Sequence, residues 1–567
     1  MPNPALFLPL LMPVAQGPIP FDRAADWESY TSGVTTGGAF ADIDGDGHLD
    51  MVVANGNDIQ RQRVEVYYGD GAGNFPTSPQ WQSNDIDYHG HLSVGDINGD
   101  GLPDVAVAVF LGAGGFGSFG HTKVYFNQGT ALESTPSWQS ADSYYTFANA
   151  LGDADGDGDL DLAVAVGEPY YGAPKENRVY FNQGGSLQTT PSWVASAPDH
   201  SLDAAFADVD GDGDLDLAFT TAGSNNKVYF QVGGMLQTTP GWSSTDNANQ
   251  NGNSCSFGDV DGDGDLDFLV SDNNQLSGGA GVFKVYRNHG SGLETTPFWS
   301  DFEGYVSAVV LADLHLDGAP EVIGGSWWGG VEIYANASGT PSGSPDWDSQ
   351  ENSVVEAMFL GDVDEKELRV ELAETHPGNG SLTLFYLGHR HLQSLEQVRA
   401  DGVALNPDDY CWDRENGWIS VAAAPFVSLE VDYTWSESLD LGVTNWDGSV
   451  GNLLFLRAPL VEVAMTEPGS ASYSPGQAVA FDGHWTNTTN RNQVALVAAA
   501  GFPAVGGMRI LDYHAETLAP FATLDLAYTL PLPSNLPSGF FGNTTVAVAV
   551  IVDGEAVEQA SDTFLIQ

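Results

Sequence analysis

The chain has 567 residues, of which 17 are basic and 76 acidic, leaving a formal charge of −59 at pH 7. A chain this acidic lacks the basic surface that phosphates require, which excludes nucleic acid as a partner and argues against docking on anionic membranes. Hydrophobic residues make up 42 % and aromatic residues 11 %, too many for a disordered acidic protein. No apolar run after the N-terminus approaches the ~18 residues of a spanning helix, so we expect no membrane span.

The N-terminal segment contains an apolar run from Ala5 to Ala15, followed by small residues. This order is typical of a secretory signal, and we predict a signal peptide over residues 1–16 and a secreted or cell-surface location. The segment has no basic residue and contains Pro9 and Pro13, so a buried or loose N-terminus remains the alternative.

An internal repeat of about 54 residues organises the chain that follows. Each unit contains a short apolar strand, an acidic loop, an apolar run, a Val-Tyr strand and a Thr-Pro-x-Trp segment. The anchor aspartates are 49 to 57 residues apart: Asp42, Asp96, Asp153, Asp208, Asp259, Asp313 and Asp362. A tryptophan 14 to 17 residues before each anchor keeps the same register: Trp27, Trp81, Trp138, Trp193, Trp242, Trp299 and Trp347.

Four strands per unit favour an all-β fold, a seven-bladed β-propeller, over a parallel β-helix, whose repeat is much shorter. The Trp27 strand precedes the first anchor, so we expect it to complete the last blade and close the ring. The register tryptophans are expected to share a packing role on each outer strand rather than to bind a ligand. We assign residues 17–457 to the propeller.

The last unit is irregular, and two interpretations of it remain open. Either Leu368–Leu372 and Leu382–Leu387 are its next strands, or a β-rich insertion occupies residues 365–435. We favour the insertion, because the stretch from Leu439 resembles the second strand of the third unit. Residues 458–567 alternate apolar and polar positions between turns, which predicts an immunoglobulin-like β-sandwich.

The acidic loops carry the strongest chemical signal, because five of them read Asp-x-Asp/Asn-Gly-Asp-Gly-x-x-Asp. Side-chain oxygens at positions 1, 3, 5 and 9 and a carbonyl at position 7 can surround one hard cation, and we expect about five Ca²⁺ ions. Flexible acidic turns without metal are the alternative. The predicted ligands are Asp42, Asp44, Asp46, Asp50, Asp96, Asn98, Asp100, Asp104, Asp153, Asp155, Asp157, Asp161, Asp208, Asp210, Asp212, Asp216, Asp259, Asp261, Asp263 and Asp267.

Two further loops depart from this pattern. The sixth has His315 in place of an aspartate and ends in Glu321, which weakens it as a calcium site. The seventh keeps Asp362 and Asp364 but has Lys366 where a ligand should be, and we expect no metal there.

Segments such as FADIDGDGHLDMVVAN and FADVDGDGDLDLAFTTAG resemble FG-GAP/VCBS repeats of integrin-α-type propellers, over roughly residues 20–457. The resemblance implies a seven-bladed propeller that is usually extracellular. It also implies calcium in the loops between first and second strands, held by Asp42, Asp44, Asp46, Asp50 and their equivalents. It implies no enzyme activity, since such propellers host adhesion, lectin and a few lyase functions.

The loops at the opposite end of each unit are rich in aromatic residues, which can stack on sugars or anchor a protein. They include Tyr88, Phe110, Phe116, Phe119, Tyr144, Tyr145, Tyr170, Tyr171, Tyr305, Trp327, Trp328 and Trp446. We therefore predict a monomeric adhesion or ligand-binding module with a carbohydrate or protein partner and no catalytic residues. The alternatives are a polysaccharide lyase, with Tyr88, His89 and His200 as candidate bases, and a purely structural surface protein.

Overall fold

The computed structural model describes residues 19–458 apart from 31, 168–171, 247–250, 276–277, 291 and 338. Beyond residue 458 it describes the strands that lie between Val461 and Ile566. The predicted signal peptide lies outside the described residues. The chain divides into two compact units, one of Phe21–Leu314 and Ala319–Arg457, the other including His315–Gly318 and residues 458–567.

The larger unit is all-β and consists mainly of repeated four-stranded antiparallel sheets, as in a propeller. The first strand, β1 (Trp27–Glu28), is followed along the chain by five such sheets, which we call groups 1 to 5. Group 1 contains β2 (Thr35–Ala41), β3 (Asp50–Gly56), β4 (Arg61–Tyr67) and β5 (Trp81–Gln82). Group 2 contains β6 (Tyr88–Gly95), β7 (Asp104–Leu111), β8 (Lys123–Tyr125) and β9 (Trp138–Gln139). Group 3 contains β10 (Thr146–Gly152), β11 (Asp161–Val166), β12 (Arg178–Tyr180) and β13 (Trp193–Val194).

Groups 4 and 5 repeat the same order of four antiparallel strands. Group 4 contains β14 (Ser201–Ala207), β15 (Asp216–Thr221), β16 (Lys227–Tyr229) and β17 (Trp242–Ser243). Group 5 contains β18 (Gly252–Gly258), β19 (Asp267–Asp272), β20 (Gly281–Tyr286) and β21 (Trp299–Glu303). Every residue of their second strands is buried.

An eight-stranded sheet holds two further sets of four strands. Group 6 contains β22 (Tyr305–Ala312), β23 (Glu321–Gly329), β24 (Val331–Tyr334) and β25 (Trp347–Asp348). Group 7 contains β26 (Ser353–Gly361), β34 (Asp440–Asn445), β35 (Leu453–Phe455) and β1. The pairing of Trp27 with Leu454 confirms that the first strand of the chain joins the last repeat. The two groups are linked where Trp327 of β23 pairs with Val354 of β26.

The segment between β26 and β34 forms two small sheets of its own. It contains β27 (Leu368–Pro377), β28 (Leu384–Tyr386), β29 (Ser394–Ala400), β30 (Val403–Ala404), a 3₁₀ turn (Pro407–Asp409), β31 (Tyr410–Asp413), β32 (Trp418–Val421) and β33 (Ser428–Ser436). β26 pairs with β34 rather than with β27, and β27 pairs with β33. We call residues 365–439 the inserted module.

The register tryptophans connect successive groups through their indole nitrogens. Each Nε1 donates a hydrogen bond of 2.7 to 3.1 Å to a backbone carbonyl of the next group. The accepting residues are Phe75, Leu132, Leu187, Leu236, Leu293, Ser342 and Phe21, in the order of Trp27 to Trp347. The tryptophans therefore have the shared packing role that their spacing predicts, and the structure adds that each one contacts the next group.

The smaller unit contains two sheets in the C-terminal segment, one of three strands and one of five. The strands are β36 (Val461–Thr466), β37 (Ser472–Tyr473), β38 (Ala478–Asn487), β39 (Gln493–Phe502), β40 (Arg509–Leu518), β41 (Thr523–Pro531), β42 (Gly542–Val552) and β43 (Glu555–Ile566). All pairings are antiparallel except that of β37 with β43.

Candidate metal sites and aromatic end

Each acidic loop joins the first and second strands of a group, and its first aspartate is surrounded by backbone amides. In loop 1, Oδ1 of Asp42 accepts from the amides of Gly45 and Asp46 at 2.8 and 3.1 Å, and Oδ2 accepts from Gly47 at 3.0 Å. Gly45 and Gly47 have φ of 76° and 94°, which explains why the loop needs glycine there. The first aspartates of the next four loops accept the same kind of bonds: Asp96, Asp153, Asp208 and Asp259.

The aspartate at position 9 is fully buried at the start of the second strand. Oδ2 of Asp50 accepts from the amide of Ile43 at 2.8 Å, and Oδ1 accepts from Gly69, after the third strand, at 2.9 Å. The same two bonds recur at Asp104, Asp161, Asp216 and Asp267. These residues therefore brace the loop against the sheet as well as presenting carboxylate oxygens.

Positions 1, 3 and 9 converge. One carboxylate oxygen from each lies within 4.8 Å of the other two in four loops. The groups are Asp42, Asp44 and Asp50; Asp153, Asp155 and Asp161; Asp208, Asp210 and Asp216; and Asp259, Asp261 and Asp267. At position 5, Oδ1 of Asp46 accepts from the amide of His48 at 2.9 Å. In loop 2 position 3 is an amide, and Nδ2 of Asn98 donates to Asp100 at 3.0 Å.

Burial and the neighbouring carboxylates make these groups difficult to ionise. Desolvation, followed by repulsion between aspartates, raises the pKa of Asp157 to about 7 and also raises the pKa of Asp155. Desolvation likewise raises the pKa of Asp96 to about 6 and of Asp216 to about 8. Oδ1 of Asp155 is buried and has no hydrogen-bond partner among the described residues. Carboxylate oxygens that repel each other, one of them without a hydrogen-bond donor, are suited to bind a divalent cation. A set of oxygen ligands of this kind is suited to Ca²⁺.

The seventh loop is interrupted by the inserted module, and its ninth position is filled from the far side of that module. Asp440 pairs with Gly361, as Asp50 pairs with Ala41 in loop 1. Its Oδ2 accepts from the amide of Val363 at 2.9 Å. Nζ of Lys366 lies 2.6 Å from Oδ2 of Asp364, the third residue of this loop.

In the sixth loop Glu321 replaces the ninth aspartate. Glu321 is fully buried and accepts a hydrogen bond from the amide of Leu314 at 2.7 Å. The longer side chain therefore makes the same loop contact as the ninth aspartate of the other loops. Whether this loop binds calcium stays a prediction.

The inserted module packs against the acidic loops. Oγ of Ser420 donates to Oδ2 of Asp153 at 2.7 Å, and the amide of Asp208 donates to the hydroxyl of Tyr386 at 3.0 Å. Nη1 of Arg414 donates to the carbonyl of Phe40, at the end of β2, at 2.7 Å. The sequence predicts an insertion over residues 365–435, but it predicts none of these contacts.

Asparagines that are not among the predicted site residues link four acidic loops, 1, 2, 4 and 5, to the following group. Nδ2 of Asn127, just after β8, donates to the carbonyl of Ile43 in loop 1 at 3.0 Å. Asn182, Asn288 and Asn336 make the equivalent bonds to Ile97, Val209 and Val260. The repeated asparagine after each Val-Tyr or Ile-Tyr strand is the signal that could have revealed them, although group 4 has Gln231 there.

The aromatic candidates divide into buried and exposed residues. Phe110 and Tyr145 are buried, so they pack between groups instead of facing solvent. Tyr170 and Tyr171 lie outside the described residues. Phe116 and Phe119 are exposed, at 41 % and 49 %.

Four aromatic residues form a continuous surface at the end of groups 6 and 7 opposite the acidic loops: Tyr305, Trp327, Trp328 and Trp446. We call this surface the aromatic end. The rings of Trp327 and Trp446 are stacked, 5.8 Å apart and 11° from parallel. Trp328 is 58 % exposed and has a φ of 57°, a conformation that a bulky residue rarely adopts.

The candidate lyase bases do not form a shared site. His89 is fully buried, and its Nδ1 lies 2.6 Å from the carbonyl oxygen of Asn55. Burial lowers the pKa of His89 and of His200, which belongs to group 4, two groups away. Tyr88, at the start of β6, is half-buried.

Within the described part of the chain, no helix is long and apolar enough to cross a membrane. A search of curated protein sequences finds no significant match.

Solved structures match only weakly. A β-glucosidase from Listeria innocua in complex with isofagomine matches at 8 % identity over 19 % of this chain and 16 % of that chain, with a TM-score of 0.16. The alkylpurine DNA glycosylase AlkC from Pseudomonas fluorescens matches at 18 % identity over 19 % and 30 %, also at 0.16. The sporulation control protein Spo0M from Bacillus subtilis matches at 14 % identity over 19 % and 49 %, again at 0.16. The chain therefore spans less than half the length of each of these structures.

A family model described as an FG-GAP-like repeat matches residues 42–107, 165–219 and 208–270. These matches contain four of the five acidic loops, together with the second strands that follow them. This chain thus carries FG-GAP-like repeats.

Proposed function

We propose that the protein is a calcium-stabilised, seven-bladed propeller that binds a carbohydrate or protein ligand outside the cell. Groups 1 to 7 would be the blades. The cyclic order of the tryptophan bonds supports this number, because Trp347 of group 6 donates to Phe21, and Trp27 of group 7 donates to Phe75 of group 1. The two-sheet arrangement of the C-terminal segment supports an immunoglobulin-like sandwich.

Calcium would be held at positions 1, 3, 5 and 9 of loops 1 to 5. When bound, it would supply positive charge to carboxylates that otherwise repel each other and would fix the turn between first and second strands. Extracellular sites of this kind have Kd values of about 10⁻⁴ to 10⁻³ M, so occupancy requires the calcium concentration found outside cells. This requirement supports a secreted or cell-surface location.

Titration of calcium into chelator-treated protein, followed by calorimetry and thermal unfolding, tests the metal proposal. We expect about five bound ions, one for each of loops 1 to 5, and a higher Tm. Mg²⁺ is the matched comparison, since it demands a tighter octahedral geometry and should stabilise less. No bound calcium and an unchanged Tm would contradict the proposal.

The proposal of ligand binding rests on the exposure and backbone conformation of Trp328. Its exposed indole is held in a left-handed backbone conformation, and such strain persists where the surrounding structure enforces it, commonly at ligand sites. Tyr305 packs edge-on against it with ring centroids 5.8 Å apart, which leaves the outer face of the indole open. An exposed, supported aromatic ring is suited to stack on a sugar or to anchor a partner protein.

A glycan and protein array with the calcium-loaded full chain tests this assignment, with Trp328→Ala and Phe302→Ala compared in parallel. Phe302 is 65 % exposed at the edge of group 5 and outside the aromatic end, so it is a matched exposed aromatic. We expect Trp328→Ala to lose binding at least about tenfold while Phe302→Ala binds normally. Equal binding by both variants would remove the aromatic end as the site, and absence of any binding would favour a structural role.

A further inference from the structure

A cavity of about 640 Å³ lies inside the larger unit, between the first strands of the groups and the inserted module. Its walls include residues of β2, β6, β10, β14 and β18. Residues 390–391, 393–396, 407 and 410–416 of the inserted module also line it. This volume falls within the range of small-molecule binding sites.

Three lining residues present amide or guanidinium nitrogens that have no hydrogen-bond partner among the described residues: Asn149, Arg390 and Gln393. Asn149 is 5 % exposed, and its Oδ1 accepts from Oγ of Ser93 at 2.6 Å, which leaves only Nδ2 unused. Nη2 of Arg390 donates to Asn416 at 2.6 Å, while its Nε is unused. These nitrogens can only donate, so each requires an acceptor.

The imidazole of His91 adds a fourth nitrogen to the cavity lining. Nδ1 of His91 lies 3.8 Å from Oδ1 of Asp203, across the cavity from β6 to β14. Asp203 and the more distant Glu356 raise the pKa of His91 against the effect of burial, which favours its charged, donor-only form. Its Nε2 has no partner within the described structure.

Two carboxylates of the lining, Asp413 and Asp203, accept hydrogen bonds from other groups. Oδ1 of Asp413 accepts from the amides of Glu415 and Asn416 at 2.8 and 3.0 Å, and Oδ2 accepts from Nδ2 of Asn416 at 2.8 Å. Asp203 accepts from the amides of Ala204 and Cys255, both at 2.9 Å. These hydrogen bonds come from other donors, so neither carboxylate accepts from the unpaired nitrogens of Asn149, Arg390 and Gln393.

Unpaired buried donors destabilise a protein unless something accepts from them. A neutral hydroxyl would bring its own proton, whereas a carboxylate only accepts hydrogen bonds. We propose that this cavity binds a small organic carboxylate whose oxygens accept hydrogen bonds from Arg390, Gln393 and Asn149. The site lies apart from the aromatic end and does not depend on the function proposed for it.

Calorimetric titration of the calcium-loaded full chain with D-glucuronate and citrate tests the proposal, with D-glucose and inorganic phosphate as comparisons. We expect saturable binding of at least one carboxylate and none of glucose. Binding of phosphate without either carboxylate would assign the cavity to phosphate and overturn the proposal. Absence of binding by both carboxylates at 10 mM, roughly the weak end of specific affinities, would also overturn it.

Two isosteric variants locate the binding. Asn149→Asp and Gln393→Glu each replace a donor by an acceptor without changing volume, and each should weaken carboxylate binding at least about tenfold. Gln237→Glu makes the same change on an exposed side chain and should bind normally. If circular dichroism shows that one cavity variant is unfolded, carboxylate binding by the other variant is the test. Unchanged binding in a folded cavity variant would show that the ligand sits elsewhere.

Discussion

The hydroxyl of Ser420 donates a hydrogen bond of 2.7 Å to Oδ2 of Asp153, although the two residues are 267 positions apart. Ser420 belongs to the inserted module and Asp153 is the first residue of the third acidic loop. Asp153 is 2 % exposed, because Ser420 and its neighbours in the module lie over it. The module thus contacts the residues that we assign to metal binding and, at the same time, forms one wall of the cavity.

Replacing Ser420 by alanine should destabilise the protein. Asp153 would lose a charge-assisted hydrogen bond in a buried place but would keep its three backbone donors, so we expect a loss of about 1 to 2 kcal/mol in the free energy of unfolding. Urea unfolding of the calcium-loaded chain measures this. Ser381→Ala, which removes an exposed local hydrogen bond in the same module, should cost less than about 0.5 kcal/mol. Equal costs for both variants would mean that the docking contact contributes nothing.

Asp155→Asn should change stability in opposite directions with and without calcium. With calcium, we expect one fewer bound ion and a lower Tm, because a ligand charge is lost. After chelation, the variant should be more stable than the wild-type chain, because desolvation and Asp153 both raise the pKa of Asp155 and so disfavour its charged form. Thermal unfolding in both states measures the two effects.

Asp159→Asn is the matched control for this change, since position 7 is expected to offer only its backbone carbonyl. It alters the same loop and the same net charge, so the ion count should stay constant. A chain with Asp155→Asn that behaves identically in calcium and in chelator would indicate acidic turns that bind no metal.

The sequence predicts those features of the fold that repeat. The spacing of the anchor aspartates and tryptophans places the first strand of each unit, and the upstream position of Trp27 predicts its pairing with the last repeat. Glycines at fixed places in the acidic loops likewise predict where the carboxylates turn inward. Each of these inferences rests on comparing one unit with another.

Features that occur once could not be found in this way. The inserted module has no second copy in the chain, so nothing in its sequence indicates that Tyr386 meets Asp208 or that Arg414 reaches Phe40. Asp440 is separated from Asp362 by the whole module, and only the pairing of β26 with β34 shows that it takes the ninth position of the seventh loop. The cavity follows from docking of the module, which is a property of tertiary structure.

Asn182→Ala should destabilise the second acidic loop although the change lies in group 3. Nδ2 of Asn182 is buried and donates to the carbonyl of Ile97 at 2.6 Å and to Leu160 at 3.2 Å. Without this side chain, the buried carbonyls of Ile97 and Leu160 each lose a hydrogen bond, and a small cavity remains. We therefore expect the free energy of unfolding to fall by about 2 to 4 kcal/mol. Urea unfolding checks this, with Asn84→Ala as an exposed control that should cost less than about 1 kcal/mol.

Glu356→Gln should stabilise the protein at alkaline pH but not in acid. Glu356 is fully buried in β26, and its Oε2 accepts from Nε1 of Trp327 at 2.6 Å, a bond that a glutamine oxygen can also accept. Desolvation raises the pKa of Glu356 from an ordinary 4.5 to about 7, so the folded chain holds this proton more tightly than the unfolded chain does. Its contribution to stability is therefore favourable below pH 4.5, falls as the pH rises towards 7, and is constant above that.

The size of this effect follows from the two pKa values. A carboxyl whose pKa rises from 4.5 to about 7 on folding costs about 3 kcal/mol of stability once the pH exceeds both values. The glutamine variant cannot ionise, so its advantage over the wild-type chain should grow by about that amount between pH 4.5 and pH 8. Urea unfolding of both proteins across this range, in saturating calcium, isolates the difference from the titration of the many other acidic groups. A constant difference between the two proteins would show that Glu356 titrates normally, and a variant that loses stability relative to the wild type as the pH rises would show that its carboxylate is favourably paired.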